Sequence, residues 1–325
     1  MEAVNLCNDI YFKDDYISLY LNNGNDAFCF EYTENSKKFI SKSIKKPITK
    51  IGDVIIEDGF YDLETAYGYG GYCVNNDDKK FLNKALKEYE EACQREKIIS
   101  EFIRFHPFNS FPVRNSKYLD FNMADRKIVV FDLKKNILSS YKSKLRSVIK
   151  KSLSSVEIRE SSNIDKFVEL YELTMKKNKA NEFYYFERAL YEKLIALEQV
   201  RLYEARYENK VIAMAFFMFG DDFVHYHLSA NSSESYRYNA NYALIHSLFG
   251  IAKQENKDYF ILGGGSTSES NDPLLKFKEK FSKETRNFYI AGKIYNRRIY
   301  QKYCSLWEEQ ADCNQKYFLK YRLAI

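Results

Sequence analysis

Nine consecutive apolar residues, Val211 to Phe219 (VIAMAFFMF), constrain this chain more than any other stretch. The run is too short to cross a membrane, and it is apolar on both of its alternating faces. It therefore reads as a strand buried on both sides. The polar turns around it, ENK before and GDD after, predict hairpins with VRLYEARYE upstream and FVHYHLSA downstream. A helix from Asn241 to Asn256 follows, then the strand DYFIL, three glycines and the run NDPLLKFKEKF. A helix crossing between two strands of one sheet makes FVHYHLSA and DYFIL parallel.

The last of these segments breaks its own pattern. On a helical wheel started at Leu274, with about 100° per residue, Leu275, Phe277 and Phe281 form one apolar arc. Lys278 falls inside that arc at about 40°, whereas Lys276, Glu279 and Lys280 fall outside it. A lysine among core-facing residues must snorkel, pair or do chemistry.

The first half repeats the layout without repeating the residues. Strand-like AFCFEY and KFISKSI are followed by GFYDLETAYGYGGYCV, a helix from about Lys79 to Lys97, and the strands IISEFIRF and KIVVFDL. A basic helix closes this half. The second half opens on the helices SSNIDKFVELYELTMKKNKA and YYFERALYEKLIALE. NFYIAGKI is a further strand, and the Tyr- and Lys-rich tail is expected to be helical. The predicted class is α+β, with two tandem units, each a mixed, mostly antiparallel sheet flanked by helices. The boundaries fall at 1–152, 153–300 and 301–325, the last segment packing back on the first unit.

Length suits two domains, and 12 glycines with 4 prolines leave little for flexible linkers. No run of 18 apolar residues predicts a transmembrane helix. The opening MEAVNLCNDIYFKDD lacks the basic-then-apolar layout of a signal peptide. Six scattered cysteines (Cys7, Cys29, Cys73, Cys93, Cys304, Cys313) with no C-x-x-C favour reduced thiols in a cytoplasmic protein over a disulfide framework or a zinc site. The net charge of +5 equals the five cations of Tyr141 to Lys151 (Lys142, Lys144, Arg146, Lys150, Lys151). That helix is either a solvated face or a phosphate-facing one.

HYHLSA, the helix beginning NYALI, the strand end ILGGG and the run LLKFKEKF together resemble the C-terminal unit of Fem-type aminoacyltransferases and their GNAT-superfamily relatives. ETAYGYGG, EFIRFHP, SKLRSVIKKS, and YELTMKKNKA followed by FYYF support the resemblance upstream. It covers roughly Asp62 to Tyr300. It implies two GNAT-like domains and acyl transfer to an amine on a cell-envelope precursor. The implied acceptor is a nucleotide- or lipid-linked sugar or muropeptide. The implied donor is aminoacyl-tRNA or acetyl-CoA as a co-substrate, with no tightly bound cofactor. A tRNA acceptor end and a peripheral membrane contact remain open as partners. Two departures stand out: the helical arm of several bridge enzymes has no counterpart, and SSESYRYNANYA carries no glycine where GNAT enzymes keep a pyrophosphate loop.

Acyl transfer to an amine needs a neutral amine, a polarised carbonyl and a stabilised oxyanion. By resemblance Lys278 matches the carbonyl-facing lysine of the family's F-K motif, beside Phe277. Gly263, Gly264 and Gly265 would form a cleft wall, and Asn241 opens the crossover helix nearby. His225 and His227 share one strand face, with Tyr226 opposite. Only His106 and His246 remain as further imidazoles, with no H-E-x-x-H or Cys partner, which favours core or cleft histidines over metal ligands and leaves one of the pair to accept the amine proton. Tyr67, Gly68, Tyr69 and Gly70 suit a loop that stacks on sugars. Arg104 and His106 share a face, and a buried Arg104 requires an anion, either a carboxylate or the acceptor's phosphate. Arg146 and Lys150, four apart on the basic helix, suit a diphosphate or tRNA backbone. The competing reading is a noncatalytic glycan- or nucleic-acid-binding protein that uses the basic helix and surface tyrosines. It lacks an extended basic stripe and an RNA-binding signature.

Overall fold

The computed structural model of the protein describes residues 6–22, 24–179, 184–311 and 317–325. The chain divides into two compact units. The first comprises residues 6–7, Tyr11–Asp125 and Phe288–Ile325, and the second Asn8–Ile10 and Arg126–Asn287.

The first unit begins with α1 (Asp14–Ser18), β1 (Asp26–Glu34), β2 (Lys37–Pro47), the short hairpin β3 (Lys50–Ile51) and β4 (Val54–Ile55), and β5 (Tyr61–Glu64). Next come β6 (Cys73–Val74), α2 (Lys79–Arg95), β7 (Ile98–Arg104) and α3 (Phe111–Arg114). The helix α2 starts where Asp78 accepts hydrogen bonds from the backbone N–H groups of Lys80 and Phe81. Its Phe81, Ala85, Tyr89 and Cys93 then face the core. It bridges β5 to β7, which pair in parallel. Beneath it, the buried Glu101 carboxylate accepts hydrogen bonds from Ser43, Tyr72, Tyr89 and Tyr295.

The strand β8 (Phe121–Asp132) carries the chain into the second unit. There follow α4 (Ile137–Ser140), α5 (Ser143–Leu153), β9 (Glu157–Ser161), α6 (Ile164–Asn178), α7 (Arg188–Ile195), β10 (Val200–Tyr207), β11 (Lys210–Phe219) and β12 (Phe223–Asn231). The unit is completed by α8 (Glu234–Arg237), α9 (Ala240–Gln254), β13 (Tyr259–Gly263) and α10 (Pro273–Lys278). Its sheet runs β8-β13-β12-β11-β10-β9. Every neighbouring pair is antiparallel except β12 with β13. As the apolar run requires, β11 is buried along its length. Leu244, Leu248 and Phe249 of α9 pack on Phe217, Phe260 and Leu262. On another strand face, Phe167 of α6 meets Phe216, ring centroids 4.6 Å apart.

The chain returns through β14 (Thr285–Ile294), which pairs with β7 from Ile290↔Arg104 to Ile294↔Ser100. The helix α11 (Arg297–Glu308) then lays Ile299, Tyr303 and Trp307 against Ile99 and Phe102. Each unit thus holds one parallel pair bridged by a helix.

Three expectations change. The divide falls at 125/126 and 287/288 instead of at 152 and 300. Leu145 and Ile149 of the basic helix α5 sit in the core with Leu244 and Phe249, so α5 belongs to the second unit. Part of the return strand β14 belongs to the first. Cys7 and Cys73 form a disulfide, so not every thiol is reduced. The 66 residues between them hide that pairing from any local motif. Cys29, Cys93 and Cys304 are free, and Cys313 lies outside the described residues. No helix among the described residues is long and apolar enough to cross a membrane.

Candidate active site

The strand β13 ends at Gly263, whose φ of 82° suits a residue without a side chain. Its parallel pairing with β12 stops at His225↔Ile261, although β12 continues to Asn231. From Gly263 the chain runs through Gly264 and Gly265 to Asp272, which starts α10. The Asp272 Oδ1 accepts from the Leu275 N–H at 2.9 Å, and Pro273 occupies the first turn, where no N–H is missed. Its Oδ2 accepts from the Ser266 hydroxyl at 2.6 Å and the Thr267 N–H at 3.0 Å, folding the loop onto the helix start. A side chain on Gly265 would collide with this carboxylate at 2.6 Å.

At the far end of α10, Lys278 turns back. Its Nζ donates to the Gly264 carbonyl oxygen at 2.7 Å, lies 6.0 Å from the centroid of the Tyr226 ring, and would be 3.1 Å from a Cβ on Gly263. The residue is only 7% exposed. Burial pushes its ammonium down to about 7; the Asp272 carboxylate opposes that shift and nearby Arg126 adds to it. Arg126 donates to the Gly265 carbonyl at 3.2 Å. The Asp272 carboxyl stays well below the usual carboxylate range: burial works against this, but the Ser266, Leu275 and Thr267 donors outweigh it. A buried amine that is half protonated near neutrality is suited to polarising a carbonyl or exchanging a proton.

The structure gathers Lys278, Gly263, Gly264, Gly265 and Tyr226 into this one place. Phe277 is half-buried and packs edge-on to Tyr242 at 4.9 Å. The helix α10 is shorter than its sequence run, ending at Lys278, and Leu274 is 41% exposed. The histidines lie elsewhere. Strand alternation sets His225 and His227 on the face opposite Tyr226. His225 Nε2 pairs with the buried Asp9 carboxylate at 2.9 Å. Burial, and then His225, drives His227 down to about 3, which leaves it neutral and a weak proton acceptor. Asn241 lies in the first turn of α9, its Oδ1 buried without a hydrogen-bond partner among the described residues.

In the first unit, Tyr69 packs edge-on to Tyr11 at 5.1 Å and to His106 at 5.6 Å. The Tyr67 carbonyl accepts from the Tyr16 hydroxyl at 2.6 Å, and Gly70 bridges alongside Phe105. The anion beside Arg104 is the carboxylate of Glu64. Burial would raise that carboxyl, but Arg104 and Lys46 hold it down at about 2. On α5, Arg146 donates to the Tyr141 carbonyl at 2.7 Å, and Lys150 is exposed. Asp9, Asp272 and Arg126 were not foreseen. Asp272 had a signal, since an Asp before Pro at a helix start marks a cap. Asp9 and Arg126 had none.

Residues 139–278 match the family model described as Acetyltransferase (GNAT) domain, a match that ends on Lys278. The crystal structure of FemX superposes with a TM-score of 0.71 at 14% identity, over 93% of this chain and 98% of that one. A conserved protein of unknown function from Bacteroides thetaiotaomicron gives 0.55 at 14% identity, over 90% and 92%. The C-terminal domain assigned to a lysylphosphatidylglycerol synthetase from Agrobacterium fabrum gives 0.53 at 13% identity, over 84% and 85%. No curated protein matches the chain in sequence. The fold is α+β with paired GNAT-like units, and it is similar to that of a Fem-type protein.

Proposed function

We propose that this protein is an N-acyltransferase that moves an aminoacyl or acetyl group onto an amine of a cell-envelope glycan or peptidoglycan precursor. The observation that carries the reading is the buried Lys278 ammonium, brought to about 7 at the glycine exit of β13, inside the segment that matches the GNAT model. The similarity in fold to FemX and to a lysylphosphatidylglycerol synthetase domain supports an envelope acceptor.

Transfer is direct. The neutral acceptor amine attacks the donor carbonyl carbon, forming the C–N bond and placing negative charge on the carbonyl oxygen. Lys278 donates a hydrogen bond to that oxyanion while the Gly264 carbonyl holds the ammonium in place. Collapse breaks the bond to the leaving group, an ester oxygen of tRNA or a thioester sulfur. The leaving group ends protonated by the proton released from the amine. The short helix α8 and the glycine-free approach to α9 favour charged tRNA over a CoA thioester.

The test presents purified protein with charged tRNA or acetyl-CoA and a nucleotide-linked muropeptide, following donor consumption and product mass. Turnover with one donor, lost in Lys278→Met of unchanged fold, is expected. Near-normal turnover in the folded variant would overturn the role given to Lys278. No consumption of either donor, with unaltered ligand binding, would favour a noncatalytic binder.

A further inference from the structure

The seven cations of residues 133–156 (Lys134, Lys135, Lys142, Lys144, Arg146, Lys150, Lys151) stand without one acid. With +5 for the whole chain and +7 here, the remainder is formally −2. Lys134 and Lys135 are paired, with Asp258 and Glu284. Lys142, Lys144, Lys150 and Lys151 are exposed and form no ion pair among the described residues. Leu145, Ile149 and Ser152 hold the other side of α5 in the core, which fixes these lysines outward.

Apolar surface lies among the charges. Leu138 is 52% and Leu153 41% exposed. On α5, Arg146, Lys150 and Leu153 follow one another at helical spacing on a single face. The Arg146 guanidinium bonds back to the Tyr141 carbonyl at the end of α4, beside Leu138. Between α4, the end of α5 and α9 runs an open groove of about 440 Å³, lined by Ile137, Leu138, Leu153, His246, Gly250 and Lys253 among others. A Cβ on Gly250 would meet nothing within 4 Å, so the groove floor is open there.

We infer that this face docks on an anionic lipid bilayer, with the lysines over the headgroups and Leu138, Leu153 and the groove taking acyl chain. Charge complementarity selects the sign of the partner. The apolar content selects its kind. A single-stranded nucleic acid would call for exposed aromatics to stack its bases, and the aromatic side chain here, Tyr141, is buried. A bilayer uses unpaired cations and exposed leucines together. Docking depends on neither the donor nor Lys278, so it stands or falls apart from the proposed catalysis.

The experiment is vesicle sedimentation of the full chain, with phosphatidylcholine vesicles against vesicles containing a third phosphatidylglycerol, in low and high salt. Two double variants, Leu138→Ser/Leu153→Ser and Lys142→Glu/Lys150→Glu, change only exposed positions, the two lysines lying on the flank of α5 that carries Leu153. The wild type is expected to bind the anionic vesicles at least tenfold more than the neutral ones, less so in high salt. Each double variant is expected to lose most of that binding while keeping its melting temperature. Absence of binding to anionic vesicles at low salt would overturn the inference. So would binding that the leucine variant retains in full and bulk tRNA displaces, which would mark a nucleic-acid surface.

Discussion

The Lys278 ammonium donates to the carbonyl oxygen of Gly264, 2.7 Å away, so the helix that follows the glycine loop ends by holding the loop's beginning. Asp272 pins the same loop from the helix start. A buried amine is thereby fixed in position instead of snorkelling to water. Such an arrangement costs stability, and that cost can be measured.

Lys278→Met is expected to stabilise the protein near neutral pH. Because burial lowers the folded-state value from 10.5 to about 7, the wild type is fully favoured only above about 10.5 and loses stability as pH falls toward 7. The drop from 10.5 to about 7 sets a ceiling of about 5 kcal/mol, less the lost hydrogen bond to Gly264. Urea unfolding at pH 6 and pH 9 should show the variant ahead at both, with the smaller margin at pH 9. Equal stability at pH 6 would mean that the lysine is well solvated.

Turnover should report the charge state that matters. An oxyanion stabiliser works as the cation, so activity with a given donor should decline as pH rises through about 7. Lys278→Arg, charged throughout, should flatten that decline where the larger head fits. A proton acceptor would give the reverse, with activity climbing through the same range and the arginine variant inactive. Lys278→Met should lower kcat by about 10²–10³-fold.

Asp272→Asn keeps a capping side chain but removes the charge that raises Lys278. The expected result is a folded protein whose pH–turnover midpoint moves to lower pH. An unchanged midpoint would show that the carboxylate acts only as a cap.

How far the sequence could lead follows from the range of each interaction. Strand β11, its hairpins and the β12–α9–β13 crossover were legible because burial writes itself as local periodicity. Lys278 was legible for the opposite reason, since it violates that periodicity. The side of the divide taken by α5 was not, because an apolar stripe of Leu145 and Ile149 says that the helix packs without saying on what. The carboxylate beside Arg104 was anticipated as a need but not as Glu64, forty residues earlier in the chain. Asp9 pairs with a histidine 216 residues away, and no local pattern encodes such a contact.

Asp9→Ala should be among the more damaging changes outside the loop. It removes the carboxylate that pairs with His225, where both side chains are almost wholly buried. Leaving a buried hydrogen-bonding partner unsatisfied typically costs about 1–3 kcal/mol. Thermal melts should show a large drop, and Asp9→Asn, which keeps a hydrogen-bond acceptor, a smaller one.

Glu101→Gln tests the polar hub of the first unit. Four hydroxyls donate to the carboxylate, and a glutamine must turn an N–H₂ toward two of them, an exchange expected to cost about 1–3 kcal/mol. Burial raises the Glu101 carboxyl above its ordinary value despite these donors. A raised folded-state value means that the group's contribution is complete in acid and is lost as pH rises through that value. The advantage of wild type over Glu101→Gln should therefore be larger at pH 4 than at pH 8 in paired denaturation curves. A constant difference across that range would mean that the carboxylate keeps its charge at both ends.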